Sequence, residues 1–357
     1  MLKTACRGAL KQRPFHFITA QEMQMTSHFS ATPSTSRPFF RLLAWLLAST
    51  ILLFLLNRYF AYWHNWPGLV ETLGFFSSDS EVPALQWLLG IAMYGLYIAA
   101  LVLIIWHIKR SPGTSLRTES RRFASWSYFV IRAAFWSVLL VGLADAIISF
   151  MRIEAIQPPG INANWWAGLD QARTRGIHVH YPLMLLALVI AWFTRSLGFI
   201  WLSLLVVLAE LGIVLSRFIF SYEQAFMGDL VRFWYAALFL FASAYTLVAD
   251  GHVRVDILYT NFKPRRKAWV NGLGSLLLGL PLCWTILIMG MGTPQSSLIS
   301  PILSFEISQS GYGMYVRYLM AGFLLVFAVS MALIFVSYFL DSVADLNDEE
   351  PHDEEPA

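Results

Sequence analysis

Apolar residues in this chain gather into continuous runs of about 20, separated by short polar stretches. The runs are unbroken rather than alternating, so they predict helices and not strands. A run of this length crosses ~30 Å of hydrocarbon as a helix. Only helices and closed barrels can cross, because every backbone polar group must be satisfied internally. The pattern predicts an all-α integral membrane protein, a helical bundle of about eight transmembrane helices. The spans read as 39–59, 84–107, 126–150, 177–193, 198–218, 230–249, 268–291 and 314–340.

The stretch 182–220 is too long for one span, and Thr194-Arg195-Ser196 breaks it. Two basic loops settle how it is divided. One carries Lys109, Arg110, Arg117, Arg121 and Arg122; the other carries Lys263, Arg265, Arg266 and Lys267. Short loops rich in Lys and Arg stay in the cytoplasm. The span 230–249 then enters from outside, so 151 to 222 must contain an even number of crossings. Two spans with Arg195 at the turn satisfy this, and both termini become cytoplasmic. Residues 1–38 read as a disordered basic tail and 342–357 as an acidic tail.

Of 357 residues, 57% are hydrophobic and 13% charged, which excludes a soluble globular domain. The net charge is +3, and the basic residues sit in short loops, where they set orientation; no nucleic-acid partner is implied. Cys6 and Cys283 form neither a disulfide framework nor a CxxC metal pattern. His107 and His252 fall at helix ends, and His178 and His180 at the mouth of the fourth span. Paired mid-membrane histidines on two helices, as bis-His haem needs, do not occur. No catalytic residue, metal site or cofactor is expected. Trp63, Trp66, Trp126, Trp165, Trp166 and Trp269 suit an aromatic belt.

Charge inside a span costs about 3 kcal/mol on insertion scales and must face protein or water. Asp145 and Glu210 lie deep in their spans, and Arg217 at an outer helix end. One reading makes Asp145 or Glu210 a cation or proton site. The other makes Asp145, Glu210 and Arg217 polar anchors between helices. Coupling sites gather several polar groups around broken helices, and no such gathering is legible here, so the anchor reading is preferred.

His252, Arg254 and Asp256 alternate with Val253, Val255 and Ile257. Such alternation suits a short extended segment whose polar side pairs across an interface. An ordinary juxtamembrane loop touching anionic lipid would also account for it.

The order of features over 198–340 resembles the small membrane subunit (DctQ-type) of tripartite ATP-independent periplasmic (TRAP) transporters. The features are Arg217, then Asp229 entering the next helix, the His252–Asp256 block, and the basic stretch before the seventh span. PRRKAWVNGLG at 264–274, and Glu306-Ile307-Ser308 with Gly311 and Arg317, resemble the branch labelled for mannitol or chloroaromatic compounds. Gly228-Asp229 stands where the family commonly has a Glu pair or Gln-Glu, and 39–196 exceeds the usual four-helix subunit.

The resemblance implies a non-catalytic small permease subunit in the bacterial inner membrane, multi-pass, with a DctQ-like core at 197–341. Its partners would be a large permease subunit (DctM-type), which carries the sodium and solute sites, and a periplasmic solute-binding protein that delivers organic acids. Membrane lipid is a further partner. The implied partner interface is His252, Arg254, Asp256, Arg265 and Arg266 on the cytoplasmic side, with Glu223 and Asp229 on the outer side. Two alternatives stay open. One is a self-sufficient carrier or channel with Asp145 and Glu210 lining a cavity; the other is a membrane redox or quinone-binding subunit.

Overall fold

The computed structural model describes residues 37–77, 82–195, 199–221, 225–248, 259, 261–307 and 313–347. Among these, all regular structure is helical. Eight helices are long and apolar enough to cross a membrane. They are α1 (Pro38–His64), α2 (Ala84–Arg110), α3 (Leu116–Ile153), α4 (Ala172–Phe193), α5 (Phe199–Phe220), α6 (Ala225–Val248), α7 (Pro264–Met291) and α8 (Arg317–Leu346). The break expected at Thr194 is present: α4 stops at Phe193 and α5 starts at Phe199.

Local chemistry explains where helices begin. Pro38 and Pro264 occupy first-turn positions of α1 and α7, where a missing N–H costs nothing. Ser115 caps α3, its Oγ accepting from the Thr118 N–H at 3.2 Å.

α3 starts ten residues ahead of the expected position 126 (126 − 116 = 10). The basic stretch is therefore largely helix rather than loop. Two charges on it are paired: Arg117 with Asp345 at 2.7 Å, and Glu119 with Arg41 at 2.7 Å. At 38 residues α3 is roughly 57 Å long, nearly twice the hydrocarbon thickness, so it extends past the membrane. α8 likewise runs beyond the expected limit of 340 to Leu346, with Ser342, Val343 and Ala344 buried.

α4 and α7 each contain one wide π-turn, at Gly176–His180 and Ser275–Gly279. Each turn sits just ahead of a proline, Pro182 and Pro281. Proline removes one helical hydrogen bond and its ring presses on the carbonyl four residues back. The wider i→i+5 turn accommodates both, and the helix continues.

α8 is the hub. It packs against α1, α3, α6 and α7, and its window is the most buried of the eight. Small residues let its backbone approach α3. Ser120 Oγ and Ser337 Oγ lie 2.7 Å apart, and Ser127 Oγ donates to the Ser330 carbonyl at 2.9 Å. On the side of α3 that faces α6, Trp234 donates its indole N–H to the Val138 carbonyl at 3.3 Å. Gly142 makes room for that ring. α2 packs on α1, while α5 packs mainly on α6. Arg37 and Asn347 line one groove, so the two described ends of the chain share one end of the bundle. That end also carries Arg117, Arg265 and Asp345, and is called the basic end below.

A Cβ at Gly142 would meet the Trp234 indole nitrogen at 2.5 Å, whereas one at Gly95 meets nothing within 4 Å. Gly142→Ala is expected to destabilise the bundle by about 1–3 kcal/mol through overpacking. Gly95→Ala, inside the helix Ala84–Arg110 with open space around it, should not destabilise it. Thermal unfolding of both variants in detergent checks this.

Candidate functional site

The polar side chains of this bundle concentrate at two buried junctions, one at each end. The larger centres on Asp145, which sits eight residues before the end of α3, roughly 12 Å in from it. Three elements converge there. The first turn of α4 supplies Arg175, the π-turn carries His180 round to the same side, and the approach to α8 and its first turn supply Tyr315 and Tyr318.

Arg175 Nη1 donates to Asp145 Oδ1 at 2.9 Å and to Ser149 Oγ at 3.2 Å. Its Nε donates to the Leu169 carbonyl at 2.9 Å. The guanidinium carbon stands 4.1 Å from the centre of the Tyr315 ring, a cation–π contact. His180 Nε2 lies 3.1 Å from Asp145 Oδ1, and its Nδ1 lies 2.9 Å from Tyr318 Oη. The Tyr315 backbone N–H donates to Asp145 Oδ2 at 2.8 Å. Asp145, Arg175, His180 and Tyr318 are all buried.

The contacts accommodate Nε2–H donating to Asp145 and Nδ1 accepting from the Tyr318 hydroxyl. Asp145 and Arg175 then cancel in charge. Gly176 is required beside them, because a Cβ there would come 2.5 Å from the Phe305 ring. Nearer the helix end, Arg152 pairs with Asp170, and Tyr315 Oη donates to the Asp170 carbonyl at 3.0 Å.

The smaller junction lies at the basic end. Arg41 donates from Nε and Nη2 to Glu119 Oε1 at 2.9 and 2.7 Å. The same guanidinium donates to the Ser111 carbonyl and hydroxyl at 2.7 and 2.8 Å. Arg41 and Glu119 are both buried.

These junctions hold helices together. Asp145 has both oxygens engaged, and the hydroxyl beside His180 belongs to Tyr318, which is itself buried. Among the described residues, no group of three or more His, Cys, Asp and Glu could hold a metal ion. Arg175, His180, Tyr315, Tyr318, Arg41 and Glu119 were not singled out as site residues from the sequence.

The structure treats the other expected site residues differently. Glu210, near the middle of α5, has an exposed side chain and meets no hydrogen-bonding or ionic partner among the described residues. It therefore departs from the expected role of an anchor between this chain's own helices, because the face of α5 that carries it packs on none of them. Arg217 is exposed on the same helix. Asp229 accepts from the Met314 backbone N–H at 3.1 Å and lies 3.6 Å from Arg232. Arg265 and Arg266 are exposed on the first turn of α7. Glu223, His252, Arg254 and Asp256 lie outside the described residues.

Residues 203–345 match the family model for tripartite ATP-independent periplasmic transporters, DctQ component. The match spans α5–α8 and leaves α1–α4 outside it. No curated protein and no solved structure matches the chain. α5–α8 are thus similar to the small permease component of a TRAP transporter, a family of transporter components rather than of enzymes. The Asp145 junction acquires a sharper meaning from this boundary. It ties α3 and α4, outside the match, to the start of α8, inside it.

Removing one partner of a buried ion pair strands the other, at a cost of about 3–5 kcal/mol. Arg175→Leu is therefore expected to lower the unfolding temperature strongly. Arg175→Leu with Asp145→Asn should recover part of the loss, because the stranded charge is gone. A double variant no more stable than Arg175→Leu alone would contradict a charge-neutral junction.

Proposed function

We propose that this chain is the small permease subunit of a TRAP transporter in a bacterial inner membrane. It braces a larger, DctM-type permease subunit and takes no part in chemistry. Glu210 is the observation that carries the reading. α2 and α5 are the two least buried spans. The exposed face of α2 is apolar, with Leu88, Ile91, Ile98 and Val102, and suits lipid. The exposed face of α5 has Val207, Leu208 and Leu211 around a carboxylate. A charge in mid-span facing lipid costs about 3 kcal/mol. A second membrane protein bearing a cationic or hydrogen-bonding side chain removes that cost, and the family match over α5–α8 supports the large permease subunit as that protein.

The finer reading follows the family resemblance. The large subunit couples sodium entry to uptake of organic acids, and a periplasmic solute-binding protein delivers them. The motifs at 264–274 and 306–317 favour the mannitol or chloroaromatic branch. His252, Arg254, Asp256, Arg265 and Arg266 contribute the cytoplasmic side of the interface, Glu223 and Asp229 the outer side. α1–α4 enlarge the immobile scaffold. A self-sufficient carrier built on Asp145 is disfavoured, since Arg175, His180 and Tyr315 occupy both its oxygens.

Co-expression of the tagged chain with its large permease subunit, followed by purification in mild detergent, tests the reading. A one-to-one complex is expected. Glu210→Lys should weaken co-elution at least about 10-fold, equivalent to 1.4 kcal/mol, while Glu210→Gln retains most of it. Charge reversal at Arg254 and Asp256 should loosen the complex from the cytoplasmic side. A chain that elutes alone and transports solute unaided would sink the proposal.

A further inference from the structure

We propose that the groove between α1, α7 and α8 at the basic end is a binding site for an anionic phospholipid. The groove has a volume of about 380 Å³. Its walls are apolar: Phe40 and Leu43 from α1, Leu273 and Leu276 from α7, Phe339 and Val343 from α8. Its mouth carries Arg37, just ahead of α1, and Arg265, on the first turn of α7. Both arginines are exposed, and neither has a hydrogen-bonding or ionic partner among the described residues. Among the described residues, no acidic residue lines the groove.

The apolar runs of α1 and α7 begin within one turn of the two arginines, near Phe39 and Ala268. The arginines therefore sit at headgroup level and the walls at acyl-chain level. Two guanidinium groups offer planar, bidentate recognition of a phosphate, and the walls below exclude water from an alkyl chain. A basic mouth over an apolar slot between membrane helices is the shape of a phospholipid. A free phosphate would use only the mouth. The residues after Asn347, including Asp348, Glu349 and Glu350, offer charge but no large apolar side chain to cover the walls.

The other basic residues nearby have different surroundings. Arg41 is committed to Glu119 and Ser111, and Lys263 and Arg266 do not line the groove. That difference supplies a control with matched charge. Each Arg near an anionic headgroup strengthens binding roughly 5-fold, so the pair should give about 25-fold.

The test uses the full chain, stripped of lipid in mild detergent, with bound lipid counted by native mass spectrometry. Phosphatidylglycerol should be retained in preference to phosphatidylcholine, and glycerol 3-phosphate should not be retained. Arg37→Gln with Arg265→Gln should lower phosphatidylglycerol retention about 25-fold. Lys263→Gln with Arg266→Gln removes the same charge from the same end and should leave it unchanged. Equal retention of the two lipids, or equal loss in both double variants, would overturn the proposal. So would retention of glycerol 3-phosphate alone, which marks a headgroup-only anion site. Retention that emerges only after deletion of 348–357 would assign the groove to the chain's own tail, which also overturns it.

Discussion

Hydrocarbon offers no hydrogen bonds, so a polar group within a membrane bundle has to be answered by protein or displaced toward water. This constraint organises the whole chain. Asp145 would be prohibitive alone on α3. It is tolerated because Arg175 neutralises it, and because His180 and the Tyr315 amide complete its hydrogen bonds. Those partners come from α4 and from the approach to α8. Satisfying one carboxylate thus fixes three elements at one end of the bundle. Arg41 and Glu119 do the same for α1 and α3 at the opposite end. Between the two, α3 and α8 meet through Ser120, Ser127, Ser330 and Ser337, where small side chains permit close approach.

The junctions also bear on how the four N-terminal helices relate to the rest. They are not loosely appended. Arg117 reaches Asp345 on α8, Tyr62 donates to the Met291 carbonyl at 2.7 Å, and Asp145 accepts from Tyr315. Every one of these bonds joins a helix outside the family match to the segment inside it. An ion pair buried this fully contributes little net stability against an apolar substitute. Its value here is geometric: any other register of α3 against α8 would leave a charge unanswered in lipid. Specificity of assembly is what such a pair supplies.

Much of the fold was legible because hydropathy reads spans directly. The even-crossing argument from the two basic loops correctly divided 182–220 into two helices. Sequence reasoning failed where charge was taken as a sign of loop. Arg117, Glu119 and Arg122 looked like a cytoplasmic connection, yet Ser115 caps a helix that carries them. Arg175 looked like loop and His180 like the mouth of a span, for the same reason. The connection between α3 and α4, residues 154–171, carries a helix of its own at Ala163–Gly168 and is too long to fix from sequence which residue of α4 meets Asp145. What no single-sequence pattern carries is the π-turn that brings His180 round to the same carboxylate. Pro182 and Pro281 hinted at irregularity, but not at its form.

Glu210 stands apart from Asp145 and Glu119, each of which meets an arginine inside the bundle, and its position says why. The helices beyond the family match had the means to answer it. They carry Arg132, Arg152 and Arg175, and they pack on α8 and α6 through α3. Had they wrapped the other way, α5 would lie inside the bundle with its carboxylate paired. Instead α5 leans on α6, barely touches α3, and keeps the least buried surface of any span. The added helices enlarge the bundle on one side while the acidic face of α5 stays clear. Asp145 and Glu119 are paired with Arg175 and Arg41 inside the bundle, and a cationic group on another chain would do the same for Glu210.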